Sequence, residues 1–218
     1  DLKKCKIINR VNIFCTVRVK QFCIIIYDGN IISKTEPTGS MTVYSYDKNN
    51  NVIMESVYPS ETAEKADGVT TYTYTSEGLL ATVADSASGT VIENSYDAVG
   101  NKTAEIEKKG NKKLSEKHYE YDQLANMTKE TVMCLDSNGT ETGSYTNEYI
   151  YYPNGKLNKT IDYTGTETLY TYDKSWRVQS VESTIDPKIE YDYDAAGRVT
   201  KETIGETNEN IFNRSEAT

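Results

Sequence analysis

Acid–base or metal chemistry in this sequence would have to start from its carboxylates, and five of them share one setting. Asp47, Asp97, Asp122, Asp173 and Asp194 each directly follow a tyrosine. A glycoside-cleaving pair would be two special carboxylates about 5 to 10 Å apart; an aspartate that returns once per repeat reads instead as a turn cap, accepting a backbone N–H two residues on. Asp47-Lys-Asn49-Asn-Asn51 opens like a calcium loop, yet Val52 stands where such a loop needs glycine and Tyr58 where it needs a bidentate glutamate. His118 is the sole histidine and precedes Tyr119, with no motif that sets a nucleophile beside it, so it reads as a surface strand residue. Cys5, Cys15, Cys23 and Cys134 include no CxxC pair, which indicates neither a zinc site nor a disulfide scaffold. No catalytic residue, metal ligand or cofactor is expected. Trp176 is the best candidate for contact with a ligand, because an exposed indole in a turn can stack on a sugar or a partner.

The elements that carry these residues repeat. Tyr44-Ser-Tyr46-Asp47, Tyr72-Thr-Tyr74-Thr75, Ser95-Tyr96-Asp97, Tyr119-Glu-Tyr121-Asp122, Tyr149-Ile-Tyr151-Tyr152, Tyr170-Thr-Tyr172-Asp173 and Tyr191-Asp-Tyr193-Asp194 place their second tyrosines 28, 22, 25, 30, 21 and 21 residues apart, a repeat architecture's period. Tyrosines two apart share one face of a strand. In Asp194-Ala-Ala-Gly197-Arg-Val199 the three residues after the aspartate fit a hairpin loop closed by a left-handed glycine and a G1 bulge, which predicts Tyr193 opposite Val199. The residue in that place is apolar in every unit except at Lys102: Val52, Leu80, Met127, Leu157, Val178 and Val199. Turn glycines are Gly78, Gly100, Gly155 and Gly197, with Asn50 a tolerated substitute; Ala125 and Trp176 break the rule and predict a different turn or local strain.

Second reversals fall between the hairpins at Ser88-Gly89, Lys109-Gly110-Asn111, Ser137-Asn138-Gly139, Thr164-Gly165 and Asp186-Pro187. Each period therefore holds two strands, and the whole reads as an antiparallel meander with about 5 to 8 residues per strand. No segment keeps helical periodicity; residues 59–67 are the one place for a surface loop or short helical turn. The boundaries are 1–26, a degenerate strand segment or unassigned; 27–204, an array of about seven to eight hairpins; and 205–218, a polar tail expected to fray. Thr16-Val-Arg-Val-Lys alternates like a strand, and Ile26-Tyr27-Asp28-Gly29-Asn30-Ile31 looks like the turn of a shortened unit.

Only 37% of the 218 residues are hydrophobic, and 18 tyrosines stand against three Phe and one Trp, so one thick core is not expected. The net charge of -9 argues against nucleic acid or an anionic membrane as partner. No run reaches the roughly 18 apolar residues of a membrane span. The chain starts with Asp1, and Arg10, Arg18 and Lys20 interrupt its early apolar stretch, so it reads as a piece of a longer polypeptide without its own signal peptide.

Tyr96-Asp97-Ala-Val-Gly100-Asn101 and Tyr193-Asp194-Ala-Ala-Gly197-Arg198 resemble the YD repeat of Rhs proteins, bacterial wall-associated proteins, the C component of insecticidal Tc toxins, and teneurins. The resemblance covers roughly residues 27–204 and recurs. It implies an all-β fold in which antiparallel hairpin repeats form one continuous, curved, spiralling sheet, part of a shell that encloses or presents a C-terminal toxin domain. Implied partners are adjacent repeats of the same longer polypeptide, an enclosed toxin domain, and cell-wall or surface glycans; the implied location is secreted or on the cell surface. The Asp-Pro-x-Gly closing motif of such shells is missing at Asp186-Pro187-Lys188-Ile189. The alternative is an extracellular adhesin or carbohydrate-binding module that uses its aromatic sheet faces.

Overall fold

The computed structural model describes residues 3–8, 11–15 and 23–207, with side-chain environments from 24 to 205. All regular structure among these residues is β. The chain divides into two units, Asp1–Ser95 with Glu105–Leu114, and Tyr96–Ala104 with Ser115–Thr218.

The first unit contains β1 (Lys3–Ile8), β2 (Val11–Cys15), β3 (Cys23–Tyr27), β4 (Asn30–Thr35), β5 (Met41–Tyr46), β6 (Val52–Tyr58), β7 (Gly68–Tyr74), β8 (Leu80–Asp85) and β9 (Thr90–Tyr96), and the later half of β10 (Lys102–Lys109). From β1 to β9 each strand pairs antiparallel with the next. The second unit contains most of β11 (Lys112–Tyr121), then β12 (Met127–Leu135), β13 (Glu141–Tyr151), β14 (Leu157–Ile161), β15 (Glu167–Tyr172), β16 (Val178–Ser183), β17 (Pro187–Tyr193) and β18 (Val199–Thr207). It follows the same rule from β11 to β18. The all-β, antiparallel hairpin architecture expected from the repeats is the one observed.

The expected register holds as well. Tyr46 faces Val52, Tyr74 Leu80, Tyr121 Met127, Tyr151 Leu157, Tyr172 Val178 and Tyr193 Val199, each beside a one-residue shift in the ladder. That shift is the bulge which a left-handed residue at the end of the loop imposes.

The structure refines the sequence reading at three places. β11, β12, β13 and β18 run to 10, 9, 11 and 9 residues, longer than expected; in β12 and β13 the wide spacing between Tyr121 and Tyr151 is taken up by a longer ladder, in which Met133 pairs with Ser144 and Cys134 with Gly143. Strands β1 to β3 occupy the stretch that the pattern left open. Residues 59–67 take the first of the two forms expected, a loop of turns and bends tied by Ala63 N–H to Ser60 O at 3.2 Å and Asp67 N–H to Val57 O at 2.8 Å. The alternation at 16–20 and the tail beyond 207 lie outside the described residues.

Among the described residues there is no thick core. Ala104, 8% exposed, is the one buried hydrophobic residue among those described, beside buried Thr35, Ser56, Glu116, Ser180 and Ser183. Small polar side chains disappear between neighbouring strands, while the large tyrosines lie half-covered on the sheet. A ladder of backbone bonds with rings laid along it suits a chain so poor in aliphatic residues.

Candidate functional site

The recurring turn has a defined bonding scheme. Asp194 N–H donates to Arg198 O at 2.9 Å and Gly197 N–H to Asp194 O at 3.0 Å. Asp194 Oδ1 accepts from the N–H groups of Ala196 and Arg198, each at 2.9 Å, and Oδ2 accepts from Arg198 Nε at 2.7 Å. One carboxylate thus meets two backbone donors with one oxygen and a side-chain donor with the other. Asp173 repeats this with Ser175, Arg177 and Arg177 Nε. At Asp47, Asp97 and Asp122 the side-chain donor is the amide of Asn51, Asn101 or Asn126, which gives a physical reason for asparagine or arginine after the turn's fourth residue. Thr75 substitutes a hydroxyl that accepts from Glu77 and Leu79 N–H at 3.3 Å.

These bonds favour the charged form, so each carboxyl sits below the ordinary aspartate range. The Arg198 backbone N–H is the largest cause at Asp194, the Arg177 N–H at Asp173, the Asn51 N–H at Asp47, and the side-chain amides of Asn101 and Asn126 at Asp97 and Asp122. A carboxylate held ionised by its own loop is a poor general acid.

Backbone geometry separates the turns only by residue type. Gly78, Gly100, Gly155 and Gly197 have φ of 84, 96, 79 and 82°, and Asn50, Ala125 and Trp176 occupy the same left-handed place at 65, 62 and 59°. Ala125 and Trp176 keep both turn hydrogen bonds. The departure they show is strain at a side-chain-bearing residue, not a new turn.

The tyrosines close bonds that the sequence does not announce. Tyr46 O–H donates to Ile31 O, Tyr74 to Val52 O, Tyr121 to Lys102 O, Tyr151 to Met127 O, Tyr172 to Leu157 O and Tyr193 to Val178 O, at 2.7 to 2.9 Å. From Tyr74 onward the acceptor in each of these bonds lies two residues past the left-handed turn residue of the preceding unit, Asn50, Gly100, Ala125, Gly155 or Trp176. Tyr96 ends β9 half-buried, and the Leu80 carbonyl takes the Asn94 side-chain amide at 3.0 Å. Burial pushes the Tyr46, Tyr121, Tyr151 and Tyr172 hydroxyls above the usual phenol range.

Arg177 adds a second link between units: Nη1 donates to Asp194 O at 3.1 Å, and the guanidinium lies 4.5 Å from the centre of the Tyr193 ring. Trp176 is 51% exposed, its ring 6.2 Å from that of Tyr172, which meets Tyr152 edge-on at 6.0 Å.

This fold has counterparts of known structure. The chain matches the crystal structure of TcdB2-TccC3-Cdc42 with a TM-score of 0.51 and 11% identity over 88% of this chain and 12% of that one. It matches that of TcdB2-TccC3 with a TM-score of 0.50, again at 11% identity over 88% and 12%. At that identity the likeness is one of fold, and this chain spans about an eighth of theirs. No protein-family model matches the chain, and no curated protein matches it.

The remaining candidates for chemistry are dispersed. His118 Nε2 lies 2.9 Å from Oε1 of buried Glu116 on its own strand, with no nucleophile in that contact. Among the described residues no group of three or more His, Cys, Asp or Glu is placed to hold a metal ion. A groove of about 480 Å³ runs past Leu124, Glu148, Tyr149 and Ile150, but Asp122, the carboxylate of the recurring turn that lines it, is spent on its own loop.

Sequence reasoning placed the opposite reversals but missed the aspartate caps of two of them. Asp136 accepts from Asn138 and Thr140 N–H, and Asp162 from Thr164 and Thr166 N–H. The signal was present as Asp136-Ser-Asn-Gly139 and Asp162-Tyr-Thr-Gly165, an aspartate three residues before a glycine, without the preceding tyrosine that marks the main series.

Proposed function

We propose that this chain is a non-catalytic wall segment of a secreted or cell-surface YD-repeat protein, part of a β-shell that encloses or presents a C-terminal toxin domain. The observation that carries the reading is the tyrosine series: the hydroxyls of Tyr74, Tyr121, Tyr151, Tyr172 and Tyr193 each bond a carbonyl of the unit before. In this reading the aspartates are turn caps, the glycines admit the left-handed loop residue, and the tyrosines fasten successive hairpins. Stability then accumulates from neighbour to neighbour, as in other repeat arrays. The fold likeness to TcdB2-TccC3 and the YD-type motifs support the shell.

Whole-repeat deletion tests it. Removing residues 173–193 joins Tyr172 to Asp194 and leaves every later side chain on its own face, so resistance to limited proteolysis should persist. A deletion that shifts a strand by one residue turns all later side chains over and should abolish that resistance. Equal resistance of the two variants would refute the additive wall.

The half-exposed indole of Trp176 beside Tyr172 favours a second reading, a carbohydrate-binding module. Glycan-array binding that disappears in Trp176→Ala would support it over the wall.

A further inference from the structure

The sequence contains two Asn-Gly pairs, Asn138-Gly139 and Asn154-Gly155, and both lie at hairpin tips of the second unit. In each the asparagine is exposed, and the glycine is half-buried and left-handed, with φ of 83 and 79°. Each glycine N–H is held alike, Gly139 to Asp136 O at 3.0 Å and Gly155 to Tyr152 O at 2.9 Å. The tips differ in what surrounds that bond. Asn154 Oδ1 accepts from Lys156 N–H at 3.1 Å, the Tyr152 hydroxyl donates to Tyr170 O at 3.2 Å, and a Cβ on Gly155 would come within 3.6 Å of Asn126 Oδ1. At the other tip Asn138 and Thr140 N–H donate to Asp136 Oδ1 and Thr142 Oγ1 to Cys134 O, all within the hairpin. The Asn138 side-chain amide joins none of these bonds, and residues 140–145 are exposed throughout.

From this contrast we propose that Asn138 is a modification site, where the chain ages by spontaneous deamidation through its own backbone, while Asn154 is spared. Glycine lacks the Cβ that shields a main-chain nitrogen, and asparagine is thermally labile. When the tip opens and the Gly139 N–H leaves Asp136 O, that nitrogen passes its proton to hydroxide and attacks Asn138 Cγ. The N–Cγ bond forms, the Cγ–Nδ2 bond breaks, and the amide nitrogen takes a proton from water and leaves as ammonia. Water then opens the succinimide at either carbonyl, giving aspartate or isoaspartate. Only water enters and only ammonia departs; nothing is oxidised or reduced. Local opening controls the rate, and an uncovered ladder end opens at the lowest free energy. At 152–155 the same opening must also break the bonds from Lys156 N–H and from the Tyr152 hydroxyl.

The test is a long incubation of the full folded chain in mildly alkaline buffer, sampled by peptide mapping. Mass spectrometry reads the exchange of an amino group for a hydroxyl, and electron-transfer fragmentation places it and separates isoaspartate from aspartate. Asn138 should react about tenfold faster than Asn154, the weight of the two extra hydrogen bonds at the second tip. Tyr152→Phe, which keeps the ring and removes one of those bonds, should speed loss at Asn154 about fivefold and leave Asn138 unchanged. Asp136→Ala, which uncaps the first tip, should speed loss at Asn138 alone by a similar factor. Equal rates at the two pairs, or faster loss at Asn154, overturn the proposal. So does an intact Asn138 over an incubation in which the urea-unfolded chain deamidates at both, and so does a slower reaction in Asp136→Ala, which would make that carboxylate a base instead of a clasp.

Discussion

The turns at 173–177 and 194–198 hold the same bonds on different residues. Both keep the two loop hydrogen bonds, both engage the carboxylate with two N–H groups and an arginine Nε, and both set a valine opposite a tyrosine. Yet the left-handed place belongs to Gly197 in one and to Trp176 in the other. A side chain there costs roughly 1 to 2 kcal/mol, and the aspartate and arginine bonds offset it. The bonding scheme therefore defines this turn, and glycine only makes it cheaper.

Acid should act hardest on this shared feature. The carboxyls of Asp173 and Asp194 are held below their ordinary value by the Arg177 and Arg198 N–H groups, as are those of the other turn aspartates. Folded values below unfolded ones mean stabilisation that is complete above about pH 4 and lost as pH falls through the lowered values. Circular dichroism melts from pH 6 to 2 should show both turns failing together in a steep drop of Tm, and an unchanged Tm at pH 2.5 would contradict the assignment.

Gly197→Trp comes next, since it converts one turn into the other. A Cβ at Gly197 would meet nothing nearer than Arg177 Nη1 at 4.0 Å, so the cost is conformational, about 1 to 2 kcal/mol by chemical denaturation. Tyr172→Phe should cost about 1 kcal/mol by leaving the Leu157 carbonyl without its donor, and Tyr193→Phe about the same through Val178. The Tyr172 hydroxyl also sets an alkaline limit: burial raises its pKa, so its contribution is complete below about pH 10 and fades as pH rises through the raised value. The smallest effect is expected for Trp176→Gly. Relief of strain is opposed by the freer unfolded chain and the lost ring contact with Tyr172, leaving a gain under about 1 kcal/mol; a loss larger than that would show the indole to be a structural anchor.

Much of the fold was legible along the chain because it is local. Tyrosines two apart define a strand face, and Asp-Ala-Ala-Gly defines a loop whose length sets the register, so the Tyr193 to Val199 pair follows from neighbours in sequence. At Ala125 and Trp176 the sequence left a different turn and local strain both open, because propensity sees the missing glycine but does not weigh the compensating carboxylate bonds. For residues 1–26 the sequence left a degenerate strand segment and no assignment both open, because short apolar runs lack a period to distinguish strand from helix.

By itself, then, the sequence determined an antiparallel hairpin array, the period of its units and the side of each strand on which the tyrosines lie, all consequences of contacts between residues close in the chain. Only the tertiary structure decided where the tyrosine hydroxyls go. Their acceptors stand 15 to 24 residues away and are backbone carbonyls, which every residue carries alike; no side-chain pattern can mark one of them, and strand pairing alone brings the right one within reach.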